Sequence, residues 1–333
     1  MKKYIFIYLL LSCVVGTVLG QDASFSQFYA SPMYANPAMA GLAKCGQLQL
    51  HYRNQWPAVA KAYEVYHVSY DQYVESMKSG VGIMFTSDRQ ANGMIIQNQI
   101  SAAYDYQFQF SRSVYASFGL QFTYGQNAIN TENLTVNSNG TIIDFNTLLG
   151  DPTFQSLYLN DAKLSRSYTD FSTGFVLGFK EHYYLGAAVH HLNRPDISFY
   201  QSVDNFMPMK YTLQFGAIFL KQSSHYSKET VYLSPNLFVQ QQGQFRQISL
   251  GLYGGINSFV LGSWYRHNFS NPDALIILLG LRKDNLKFGY SYDITISGLS
   301  TGLAGSHEIS VSWNICTPRS KKRRIRTIKC PTF

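Results

Sequence analysis

Charge is scarce in this chain. Of its 333 residues only 14% are Asp, Glu, Lys or Arg, against roughly 25% in an ordinary soluble domain. Past residue 20 there is no run of 18 apolar residues, so a transmembrane helix is not expected. Cysteine is sparse: Cys13 lies in the leader, and Cys45, Cys316 and Cys330 remain. Three is an odd number and cannot make a complete disulfide framework. Cys316 and Cys330 could pair across the basic tail or stay apart, and the spacing leaves both open. With no C-x-x-C there is no zinc ribbon. His307-Glu308-Ile309-Ser310-Val311 is not H-E-x-x-H, and no G-x-x-x-x-G-K-[ST] loop is present, which removes zincin and P-loop chemistry.

Basic residues are also missing from most of the chain. Of 27 Lys and Arg, two (Lys2, Lys3) lie in the leader and seven lie between Arg319 and Lys329, leaving 18 against 19 acidic residues in the body. A near-neutral body argues against nucleic-acid binding, whose basic footprint belongs on the fold itself. The tail, with Arg319, Lys321, Lys322, Arg323 and Arg324, is too charged for a membrane strand. It suits anionic headgroups or an acidic partner, or simply a solvated end to the fold.

What is abundant is aromatic: 25 Tyr, 23 Phe and 3 Trp. The start is a cationic Met1-Lys2-Lys3, an apolar Tyr4–Val15 and a small-residue site at Val18-Leu19-Gly20. This reads as a signal peptide over 1–20; Leu10-Leu11-Ser12-Cys13 is a weak lipoprotein box inside it. Beyond the leader, period-2 alternation dominates. Leu286, Phe288, Tyr290, Tyr292, Ile294 and Ile296 alternate with Lys287, Gly289, Ser291, Asp293, Thr295 and Ser297. Successive strand side chains face opposite ways, so one face is apolar and the other polar or small. The same pattern marks 14 segments: 46–54, 63–73, 78–88, 95–110, 113–127, 168–180, 182–192, 210–220, 230–240, 244–254, 258–268, 273–283, 286–297 and 306–315.

A soluble sandwich would turn the apolar faces inward, and a membrane barrel would turn them to lipid. Three features favour the barrel: polar faces made of Gly, Ser, Thr, Gln and Asn, enough Tyr and Phe for interfacial girdles, and strands long enough to cross a bilayer at a tilt. Lipid leaves no sheet edge satisfied, so the sheet must close. We therefore expect an all-β, closed antiparallel outer-membrane barrel of about 14 strands over 46–315. It would carry a plug-like segment over 21–45 and a basic periplasmic tail over 316–333. No cofactor or metal is expected. His190-His191 should point to opposite faces of a strand, and Asp170, Asp293 and Glu308 should form solvated ion pairs. Ser306-His307 are neighbours, which does not supply a hydrolase pair.

Several blocks resemble one family. They are Asp22-Ala23-Ser24-Phe25-Ser26-Gln27-Phe28-Tyr29-Ala30-Ser31-Pro32-Met33-Tyr34-Ala35-Asn36-Pro37-Ala38-Met39-Ala40-Gly41, Tyr52-Arg53-Asn54-Gln55-Trp56-Pro57, Ser69-Tyr70-Asp71, Gly289-Tyr290-Ser291-Tyr292-Asp293, Gly305-Ser306-His307-Glu308-Ile309-Ser310 and Cys330-Pro331-Thr332-Phe333. In order and spacing they are similar to the PorP/SprF family of the type IX secretion system in Bacteroidetes-type bacteria. The resemblance implies a non-enzymatic outer-membrane component of the secretion and gliding apparatus. It implies partners such as a periplasmic lipoprotein ring, a peptidoglycan-binding protein or a large secreted adhesin. A channel for small solutes is the competing reading. Phe25, Phe28, Tyr29 and Tyr34 should pack the plug inside or beneath the periplasmic mouth, with Pro32 and Pro37 keeping it out of a ladder. Arg53, Trp56 and Asp71 should tie it to the wall. Loops 128–167 and 193–209 are the expected partner-recognition surfaces.

Overall fold

The computed structural model describes residues 21–59, 63–131, 135–138, 141–152, 163–180, 182–222, 230–269, 271–297 and 305–315. The strands are β1 (Gly46–Gln55), β2 (Tyr63–Val74), β3 (Ser79–Gln90), β4 (Ile95–Gln109), β5 (Val114–Ile129), β6 (Thr135–Ser138), β7 (Thr141–Asp144), β8 (Ser165–Phe179), β9 (Tyr183–His190), β10 (Lys210–Ala217), β11 (Phe219–Gln222), β12 (Thr230–Gln242), β13 (Phe245–Ile256), β14 (Phe259–Asn268), β15 (Asn271–Lys283), β16 (Leu286–Thr295) and β17 (Ser306–Ile315). All but β6 and β7 form one antiparallel sheet. β10 and β11 are two halves of one wall strand, interrupted at Ile218, and both pair with β12. β1 pairs with β17 from Gly46↔Ile315 to Gln55↔Ser306, which closes the sheet into a barrel of 14 strands. Closure gives each of the 14 wall strands a hydrogen-bonded neighbour on both sides, as lipid requires. Among the described residues no helix is long and apolar enough to cross a membrane.

The wall is inverted relative to a soluble protein. Leu50, Val68, Ile83, Phe85, Ile100, Leu120 and Phe122 are exposed on the outside, while Gln49, Ser69, Ser101, Asp105, Ser117 and Thr123 are buried on the inside. The inner face departs from the expected polar lining on one side. Phe238, Tyr253, Val260, Trp264, Ile276 and Leu278 of β12–β15 all face in and are buried together.

The two ends differ. At the proximal end, where β1 begins and β17 stops, the described connections are short, such as those between β2 and β3, β4 and β5, and β15 and β16. At the distal end lie the two longest, from β5 to β8 and from β9 to β10. The polar stretch expected over 128–167 is not pure loop, since β5 reaches Ile129 and β6 and β7 form a separate hairpin. Cys45, just before β1, is disulfide-bonded; Cys316 and Cys330 lie outside the described residues, as does the basic tail from Arg319 through Lys321, Lys322, Arg323 and Arg324.

Candidate functional site in the barrel lumen

Residues 22–44 run inside the barrel rather than joining its wall. Proline explains the local shape. Pro32 and Pro37 each open a single helical turn, Pro32–Ala35 and Pro37–Met39, and a further short turn covers Phe28–Ala30. Proline's fixed φ suits a first helical position, and its missing N–H forbids a ladder. Between the turns Asn36 does two jobs. Its Oδ1 accepts the Ala38 N–H at 3.0 Å, while its Nδ2 donates to the wall carbonyls of Phe175 and Ala187, both at 3.2 Å.

The wall makes room for this backbone with inward glycines. A Cβ on Gly119 would lie 2.3 Å from the Ala38 nitrogen, and one on Gly174 would lie 2.0 Å from the Asn36 Oδ1. We expect Gly119→Val to leave the wall pairing intact but to displace residues 36–40. Their amide exchange should accelerate while that of β4 and β5 is unchanged; equal exchange in both proteins would contradict the close approach.

Three anchors hold the segment. The first is a buried charge cluster. Glu308 accepts the backbone N–H groups of Ser26 at 2.9 Å and Gln27 at 2.7 Å, the Arg53 guanidinium at 2.6 Å and His51 Nε2 at 2.7 Å. Asp293 accepts Arg53 at 3.0 Å, Arg266 at 2.9 Å and the Ser26 hydroxyl at 2.6 Å. Two carboxylates thus meet two guanidiniums in a region cut off from water, an arrangement that survives burial only because each charge is paired and hydrogen-bonded.

The second anchor is aromatic. Phe28 stacks on Phe238 at 4.6 Å and meets Trp264 edge-on at 4.9 Å, while Tyr29 lies 5.9 Å from Trp264 and 5.5 Å from Tyr253. This is the reason for the apolar patch inside β12–β15. Phe25 stacks on His51 at 4.3 Å, and Tyr34 meets His67 at 5.5 Å. Further toward the proximal end, Asp71 accepts the Gly41 N–H at 2.8 Å.

The third anchor holds the start of the segment, near the distal end. Asp22 Oδ2 accepts Lys210 Nζ at 2.6 Å and His191 Nε2 at 2.8 Å, and His191 Nδ1 reaches Asp170 at 3.0 Å. His190, Lys210 and Tyr34 also face this pocket. Burial pushes the Asp22 carboxyl up, but His191 and Lys210 outweigh it and hold it well below the usual range. Burial pushes His191 down, and the Asp22 and Asp170 carboxylates reverse this and raise it to about 9. A raised folded-state value means that His191 contributes fully below its unfolded value and loses its contribution as pH rises through 9. A dye at Gln21→Cys should therefore lose anisotropy between pH 7 and 10. The same dye in a His191→Gln background should show low anisotropy throughout; a pH step unchanged by that substitution would refute the assignment.

Of the residues expected to join segment and wall, Phe25, Phe28, Tyr29, Tyr34, Arg53 and Asp71 meet in the lumen. Trp56 is placed elsewhere: its backbone N–H donates to the Gly305 carbonyl at 2.8 Å and its ring meets Tyr63 at 5.5 Å, bracing the connection from β1 to β2. The segment also reaches further than the proximal mouth, since Asp22 lies toward the distal end. His190 and His191 do not point to opposite faces. His191 follows the end of β9 with φ +60°, and that left-handed turn brings its ring back inside, where both imidazoles are buried. Asp170, Asp293 and Glu308 are buried rather than solvated, with Asp170 serving the Asp22 anchor and the other two the Arg53 cluster. Asn36, His51, His191, Lys210 and Trp264 also hold the segment, beyond the residues expected to do so. The inward parity of β1, shared by His51 with Gln47, Gln49 and Arg53, would have found one of them.

No hydrolase geometry appears at Ser306-His307. Ser306 is buried with Arg53 while His307 bonds Tyr290 at 2.9 Å, on the other face of β17. Gly298-Leu299-Ser300-Thr301-Gly302 spells G-x-S-x-G and lies outside the described residues.

Solved structures similar to this chain include a porin, a toluene transporter and an outer membrane protein. The Pseudomonas putida toluene transporter TodX has a TM-score of 0.48 at 12% identity, over 85% of this chain and 94% of that one. A KdgM porin has 0.39 at 7%, over 80% and 98%, and Acinetobacter baumannii Omp33 has 0.42 at 6%, over 81% and 98%. No curated protein matches the sequence. The model of the type IX secretion system membrane protein PorP/SprF family matches residues 17–313, and the chain belongs to that family.

Proposed function

We propose that this barrel is a non-enzymatic accessory of type IX secretion that helps deliver or anchor a secreted surface adhesin, and that its residues 21–45 act as a resident plug. Family membership supports the secretion role. The observation that carries the plug reading is the lumen itself: Gln27, Met33, Asn36, Ala38 and Ala40 of the segment are almost wholly buried within the wall. An open solute channel would instead need that space filled with water. Barrels of this kind place short turns toward the periplasm and long loops outside. The proximal end would then meet a periplasmic lipoprotein ring and a peptidoglycan-binding partner, and the loops 128–167 and 193–209 would meet the adhesin.

Loss of the chain from the producing bacterium should leave a repeat-rich secreted protein off the cell surface, with small-solute uptake unchanged. Deleting 132–165 should remove the adhesin contact while sparing barrel assembly. Normal surface display combined with a solute-uptake defect would overturn the proposal in favour of transport.

A further inference from the structure

The outer wall is not uniformly convex. Across β12–β16, near the proximal end, it dips into a concavity of about 1270 Å³ bordered by Leu233, Leu252, Ile256, Leu261, Leu279 and Phe288. Small residues at outward positions, Gly254 and Ser263, create the depth. Beside it, pairing sets Lys283, Leu286 and Trp313 in one row across β15, β16 and β17. Lys283 is exposed, and Trp313 is 50% exposed on the outer face.

The charge around this end has one dominant sign. At its turns and adjoining strand ends Lys78, Arg112, Lys180 and Lys283 are exposed and Arg282 and Lys287 half-buried, against Glu75 and Asp284 among the described residues. Lys180 lies 5.0 Å over the Phe179 ring. Lysines and aromatic rings at the edge of an apolar band stand at the depth of lipid phosphates.

We propose that the concavity is a seat for an anionic phospholipid, with its acyl chains against the leucine-lined wall and its headgroup on Lys283 beside Trp313. Any lipid could cover the apolar surface. The fixed cation at the rim of a fitted groove selects the negative headgroup. A basic residue near an anionic surface contributes ~1 kcal/mol, about fivefold in preference.

The three tryptophans make the test direct. Trp264 faces the lumen, Trp56 lies at the distal end and Trp313 faces lipid. The full chain carrying Trp56→Phe is reconstituted in vesicles of phosphatidylcholine containing brominated phosphatidylglycerol or brominated phosphatidylcholine. Brominated phosphatidylglycerol should quench Trp313 about fivefold more effectively per mole fraction. Lys283→Gln should bring that ratio close to one. Ser263→Phe, which fills the seat without altering charge, should weaken quenching by both lipids. Equal quenching in the starting protein, or a preference untouched by Lys283→Gln, would overturn the proposal. So would loss of the preference on adding soluble polyglutamate, because the cations would then serve an acidic polypeptide.

Discussion

Deletion of residues 22–41 should turn a silent barrel into a conducting one. A 14-stranded wall is wider than the small barrels whose own side chains fill the bore, and narrower than the 16–18-stranded porins that hold an open channel. Here the bore is filled by a strand-free segment whose contacts run from Asp22 near the distal end to Gly41 toward the proximal one. Removing it deletes Phe28 and Tyr29 from the Trp264 patch and exposes a lining of Gln, Ser, Thr and Asp that water can enter. The wall pairing does not depend on the segment, because its hydrogen bonds are strand to strand. In planar bilayers the full chain should show no stable steps and the deletion variant should show sustained ones. Stable steps from the full chain, indistinguishable from those of the variant, would mean that the segment does not obstruct the bore.

Glu308→Ala should be among the most destabilising single substitutions in the protein. The carboxylate lies at 0% exposure and accepts two backbone N–H groups from the segment together with Arg53 and His51. Its loss leaves the Arg53 guanidinium with one fewer buried partner and orphans the N–H groups of Ser26 and Gln27. Breaking one side of a buried ion pair costs roughly 3–5 kcal/mol. Glu308→Gln keeps an acceptor oxygen in place and should cost less. Urea unfolding of the reconstituted barrel measures the loss, and protease cleavage within 22–41 reports whether the segment has left the lumen. A change below about 1 kcal/mol, with the segment still protected, would show that the cluster is not the anchor described, since one ordinary hydrogen bond is worth that much.

The wall was legible because its physics is local. Period-2 alternation marks a strand whether the apolar face meets a core or lipid, and segments such as 63–73, 273–283 and 306–315 closely match β2, β15 and β17. The closing pair is less local: Gly46 and Ile315 meet only because the number and tilt of strands bring the ends around. Lumen contacts were partly legible. Arg53 and Asp71 stand out as charges on faces otherwise poor in charge, and Phe28 and Tyr29 as aromatics without alternation. Trp264 was hidden because its strand alternates large residues on both faces, so parity alone does not say which side meets lipid. His191 was hidden because one left-handed residue reverses where a side chain points. Trp56 misled because its neighbour Arg53 belongs to the lumen cluster, while three residues later the chain has left the strand.

Amide exchange across residues 25–41 of the intact protein in detergent or bilayer tests the occupied lumen most directly. The Ser26, Gln27 and Gly41 amides donate to wall carboxylates, and Ala38 donates to Asn36. These amides should therefore exchange on the slow timescale of β1 and β17. Exchange of the whole stretch within seconds, at the rate of an unstructured peptide, would place it outside the barrel and contradict the account.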